Sequence, residues 1–155
     1  MKLAEALALR ADAQKRFEQL RARAQASARY QEGEEPAEDA AGLLREAEEV
    51  LQELEDLIRR INRTNAETSL GDGLTVTDAI ARRDVLRLRH ALLSSVADAA
   101  SGKAGGMHRQ LRSELRQVAA VSVSELRVDA DTAAKEHREL DTRIQQRNWE
   151  VDLVD

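Results

Sequence analysis

Apolar and small residues recur in this chain at alternating steps of three and four, and they do so over several separate stretches. Positions 3, 6, 10, 13, 17, 20, 24 and 27 are Leu, Ala, Arg, Ala, Phe, Leu, Ala and Ser. Leu43, Ala47, Val50, Leu54, Leu57 and Ile61 form a second such row, with Leu44, Leu51 and Ile58 flanking it at heptad spacing. Leu126, Ala130, Ala133, His137, Leu140, Ile144, Arg147 and Val151 form another. This period matches the 3.6 residues per turn of an α-helix and conflicts with the two-residue period of a strand. Held over about four heptads, it gives a narrow seam of coiled-coil grade rather than the broad face of a thick globular core.

Composition agrees. Aromatic residues are 2% and charged residues 34% of the 155-residue chain, so the apolar mass is Leu, Ala, Val and Ile. Pro36 is the single proline. Gly33 and Pro36 break the first helix from the second, and SLGDGLTV is read as a turn in which Gly71 and Gly73 take positive φ. Thr75 with Asp78 reads as a capping pair for a third helix, and Ser124 as the cap of a last one. The expected helices span about 2–28, 38–67, 76–100 and 124–149. From 107 to 123 the pattern is ambiguous, and the β-branched end QVAAVSV favours a small extended arm or hairpin. The expected fold is all-α: one domain over 1–155, an elongated antiparallel bundle of about four long helices with coiled-coil-like seams.

The third helix is apolar on one arc, made by Val85, Leu86, Leu88, Leu92, Leu93 and Val96, and Arg82 and Arg89 fall within it. Other polar groups interrupt or flank the seams: Arg10, Asn65, His137 and Asp141. A buried unpaired charge is costly, so each needs a partner or water. Three readings follow. The arginines snorkel to solvent; the polar groups select one register and oligomeric state; or they build a ligand site in the bundle core. Trp149, the lone Trp at the end of the last seam, reads as an interface anchor.

Charge is uneven. From 31 to 57 the chain is acidic, with Arg45 the only base; from 79 to 116 it is basic, with Asp84, Asp98 and Glu114 the only acids. The segments are two solvated faces, or they pack on each other within a chain or between subunits. A net charge of −5 and the lack of aromatic interleaving argue against a nucleic-acid partner.

Chemistry is sparse. There is no cysteine, so thiol, disulfide and Cys-zinc sites are excluded. His90, His108 and His137 lie on different segments; His137, flanked by Glu136 and Glu139, pairs with Asp141 on its own helix or supplies half of an inter-subunit metal site. There is no GxSxG elbow, and neither GDG (71–73) nor GKAGG (102–106) is a phosphate loop. No catalytic residue, cofactor, metal site or small-molecule substrate is assigned. The N-terminus is charged and lacks a signal-peptide apolar region, and no stretch is long and apolar enough to span a membrane, so the expected location is the cytoplasm.

The segments QEGEEPAED (31–39), INRTN (61–65), ARRDVL (81–86) and RELDTRIQQRNW (138–149) together resemble the septicolysin-like family of small bacterial proteins. That resemblance implies a pore-forming, haemolysin-type activity as an alternative, and with it a membrane partner. The residues themselves favour a non-enzymatic cytoplasmic homo-oligomer or interaction protein. An unrecognised enzyme or metal-binding bundle is the third reading.

Overall fold

The computed structural model describes residues 1–103 and 116–155. The described elements run α1 (Leu3–Ala26), α2 (Ala40–Glu67), β1 (Ser69–Gly71), β2 (Leu74–Thr75), α3 (Val76–Ala100) and α4 (Val123–Glu150). The fold is all-α with one small hairpin. Two compact units are formed, the first by Met1–Val76 with Gln145–Asp155 and the second by Thr77–Ile144.

The first unit is built on an antiparallel pair, α1 and α2. The seam of α1 is buried at Leu3, Ala6, Ala13, Leu20, Ala24 and Ser27, with Phe17 half-buried. The seam of α2 is buried at Leu43, Ala47, Val50, Leu57 and Ile61. One cluster joins Ala13, Leu20 and Ala24 to Leu43, Ala47 and Val50. The other joins Leu3 and Ala6 to Leu57, Ile61 and Leu153. Alanine on α1 lets the backbones approach, and leucine on α2 fills the space between them. Asp39 starts α2 by accepting the Ala41 amide at 3.1 Å, which places the helix start at 40 rather than 38.

The chain ends converge on this pair. The Leu3 amide donates to the Val151 carbonyl at 2.9 Å, and the Leu153 amide donates to the Met1 carbonyl at 2.9 Å. Thr64, 1% exposed, donates its hydroxyl to the Arg60 carbonyl at 2.8 Å and accepts the Val154 amide at 3.1 Å. The Arg60 guanidinium holds the Val154 carbonyl at 2.9 Å.

The second unit holds most of α3 and α4. Asp98 near the end of α3 pairs with Arg127 near the start of α4 at 2.5 Å, and Arg83 pairs with Asp141 at 3.1 Å. The helices therefore run antiparallel. The seam of α4 is buried at Ala130, Ala133, Leu140 and Ile144. Its cap is Ser122, not Ser124: the Ser122 hydroxyl accepts the Glu125 amide at 3.3 Å.

The hairpin lies at 69–75, where Gly71, Asp72 and Gly73 all have positive φ (90°, 55° and 73°) and fold a tight reversal between strands too short to show a period. Of the extended arm expected over 107–123, residues 107–115 lie outside the described residues, 116–122 carry no regular element, and Val123 begins α4. The apolar arc of α3 is covered only at its Leu86 edge. The buried residues of the helix are Val76, Ala79, Leu86 and Ala97, while Val85, Leu88, Leu92 and Val96 are exposed. The narrow face that carries alanine is the one covered, because small side chains allow the closest approach.

Candidate functional site

The polar groups singled out in the sequence do not gather into one pocket. Arg10 lies on α1, half-buried, and its Nε is buried without a hydrogen-bond partner among the described residues. Asn65 is half-buried beside Thr64, the residue that carries the hydrogen bonds there. Arg82 and Arg89 are exposed, and Arg82 reaches Glu136 only at 4.0 Å. They are not core groups, because they sit beside the exposed part of the arc, Val85, Leu88, Leu92 and Val96. Trp149 is exposed and its neighbour Asn148 is buried.

Asp141 is not the partner of His137. It accepts Arg83 Nη1 at 3.1 Å, while Asp84 accepts Arg83 Nε at 3.2 Å. Burial works against the charge on Arg83, but its bonds to Asp84 and Asp141 outweigh this and raise its pKa. Sequence reasoning chose Arg82 and missed Arg83, one residue on and about 100° round the helix. His137 instead lines a groove between α3 and α4 with Arg87, His90, Ala134 and Arg138.

The acids of α2 and of the segment before it are partly used within the first unit. Glu46 accepts Arg16 at 2.8 Å, and Glu38 holds Arg23. Their intrachain partners are thus the bases of α1. Glu48 and Glu55, which flank the exposed row Leu44, Leu51 and Ile58, make no ion pair among the described residues.

Ion pairs hold three carboxyls below their ordinary values: Glu38 through its bond from Arg23, Asp56 through Arg59 and Asp98 through Arg127. A carboxyl whose folded pKa is depressed contributes stability above its unfolded value and loses it as pH falls through the folded one. The starting values are 4.5 for Glu and 3.8 for Asp. The urea midpoint is therefore expected to be flat above about pH 5 and to fall progressively from about pH 4.5 downward. Replacing Asp98 by Asn should flatten part of that fall; an unchanged profile would show that the Asp98–Arg127 pair is not coupled to folding.

Two surfaces, the second carrying a groove lined by Leu51, Leu54, Glu55, Ile58 and Arg59, and the α3–α4 groove are the candidate interaction features. The first surface is the row Val85, Leu88, Leu92 and Val96 on α3, where Val85, Leu88 and Leu92 are 61–65% exposed. The second is the row Leu44, Leu51 and Ile58 on α2. Among the described residues no group of three or more His, Asp or Glu is placed to hold a metal, and no helix is long and apolar enough to cross a membrane.

The chain is similar to a functionally unknown conserved protein from Corynebacterium diphtheriae known from a crystal structure. The two share 43% sequence identity over 99% of each chain, with a TM-score of 0.91. No curated protein matches. The model of a family of unknown function, DUF6847, matches residues 10–153. With a match over nearly its whole length, the chain belongs to the DUF6847 family.

Proposed function

We propose that this chain is a non-enzymatic assembly protein, in which the exposed row of α3 in one copy meets the exposed row of α2 in a second copy. The observation that carries the proposal is the exposure of Val85, Leu88 and Leu92 on one arc of α3. Bulky apolar residues aligned at helical spacing on a surface mark an interaction site, whereas single exposed leucines need no explanation.

Charge supports α2 as the complementary face. Arg82 and Arg89 border the α3 row, seven residues apart. Glu48 and Glu55 border the α2 row at the same spacing. Two α3 rows facing each other would bring like charges together; an α3 row on an α2 row brings opposite ones. A contact between two different surfaces is heterologous, so it propagates into a ring or an open filament rather than stopping at a two-fold dimer.

Light scattering at micromolar concentration tests this. The protein is expected to be larger than a monomer, and Leu88→Glu with Leu92→Glu to reduce it to one while circular dichroism keeps its helical signal. Glu55→Arg should weaken assembly by about tenfold, and adding Arg89→Glu in the same chain should restore it. A monomeric wild type, or a mass unchanged by the Leu88/Leu92 variant, refutes the proposal. The second reading is the pore-forming activity implied by the septicolysin-like resemblance. A bulky apolar row bordered by arginine on α3 favours membrane contact in that case. Dye release from liposomes, abolished by the same Leu88/Leu92 variant, would select it.

A further inference from the structure

We infer that the α3–α4 groove of the second unit is a binding site for a small phosphomonoester or inorganic phosphate. The groove, about 260 Å³, is lined by Arg87 and His90 from α3 and by Ala134, His137 and Arg138 from α4. The spacing explains the convergence: residues three or four apart on a helix share a face, and both helices turn such a face to the groove. Ala134 leaves the space between the cationic side chains. No carboxylate lines it.

Several acids of α3 and α4 face other bases. Glu136 faces Arg82, Glu139 faces Lys135, Asp141 and Asp84 hold Arg83, and Asp98 holds Arg127. Arg87, Arg138 and His137 make no side-chain hydrogen bond or ion pair among the described residues, and His90 has only the Ser94 hydroxyl at 3.4 Å. Two guanidinium forks and two imidazoles thus converge with no carboxylate among the lining residues. Guanidinium groups bind phosphate oxygens in pairs, and each imidazole adds an N–H. The groove is small and open to solvent on one side, with room among its side chains for a phosphoryl group. Arg87 is about 200° round α3 from Val85, so this site and the proposed assembly row stand or fall separately.

Calorimetric titration of the full chain with inorganic phosphate and with glycerol phosphate, against glycerol as the neutral control, tests the site. Saturable binding of the phosphates but not of glycerol is expected, and the imidazole resonances of His90 and His137 should move with it. Arg87→Gln and Arg138→Gln, both at exposed positions, should each weaken binding by about tenfold and together by more. Flotation with phosphatidic-acid vesicles, lost in the double variant, would identify a lipid headgroup as the source of the phosphomonoester. Binding without flotation would identify a soluble one. The inference is overturned if neither ligand nor vesicle binds, if the double variant binds as the wild type does, or if the two imidazoles stay unmoved.

Discussion

Ile61→Ala is expected to lower the unfolding free energy by about 3 kcal/mol, within the ~2–5 kcal/mol range of buried aliphatic truncations. Ile61 is 1% exposed and packs with Leu3, Ala6, Leu57 and Leu153. Those neighbours come from the start of α1, the end of α2 and the C-terminal segment. The cost of a cavity depends on how far its walls can close, and here they are pinned. One turn on, Thr64 is tied to the Arg60 carbonyl and the Val154 amide. Across the cluster, Leu3 and Leu153 are bonded to Val151 and Met1. The cavity should therefore stay open, and the loss should exceed the bare transfer energy of the missing carbons. Urea unfolding followed by circular dichroism measures it, with Ile61→Val as a graded control expected to cost about 1 kcal/mol. A loss below about 1 kcal/mol for Ile61→Ala would show that the cluster is not a core.

Where one face of a helix packs along its whole length, the sequence announces it. The rows from Leu3 to Ser27 and from Leu43 to Ile61 are the buried rows of the first unit, because each helix is covered by the other along the pattern. The same logic misreads α3. Periodicity identifies where the apolar residues lie, but not whether anything covers them. Ala79 and Ala97, fully buried, carry too little hydrophobicity to stand out beside Leu88 and Leu92. The clasp of residues 1–3 on 151–153 is backbone pairing, which has no side-chain signature, and the hairpin at 69–75 is too short to have a period.

The polar groups teach a related lesson. The need for partners was legible, but their identity was not. A rotation of about 100° separates Arg82 from Arg83, and it decides which of them meets Asp141. The groove lined by Arg87, His90, His137 and Arg138 assembles from two short i,i+3 and i,i+1 pairs that lie far apart in the chain. Each pair alone reads as an ordinary solvated face. Only their convergence, with no carboxylate among the lining residues, distinguishes it. The exposed rows of α2 and α3 follow the same rule, since matched spacing of Glu48 with Glu55 and of Arg82 with Arg89 acquires meaning only once both rows are uncovered.

The sharpest contrast lies within α3. Ala97→Leu is expected to destabilise the protein by about 1–3 kcal/mol, whereas Leu88→Ala should change stability by less than about 0.5 kcal/mol when measured below the concentration of assembly. A hydrophobic wheel predicts the reverse, because it places Leu88 in the core and regards alanine as replaceable. Ala97 is fully buried, so an isobutyl group there must displace its surroundings. It also sits beside Asp98, whose bond to Arg127 joins α3 to α4, so a shift that accommodates the larger side chain strains that pair as well. Leu88 is 65% exposed; truncating it removes little buried area, and alanine is the better helix former. Thermal unfolding of the two variants at the same low concentration decides the matter. If Leu88→Ala cost 2 kcal/mol or more under those conditions, its row would be core within the single chain and the case for a second copy docking there would fail. If the cost of Leu88→Ala emerges only as concentration rises, the stabilisation comes from association, since only a partner that binds the folded state makes stability depend on concentration.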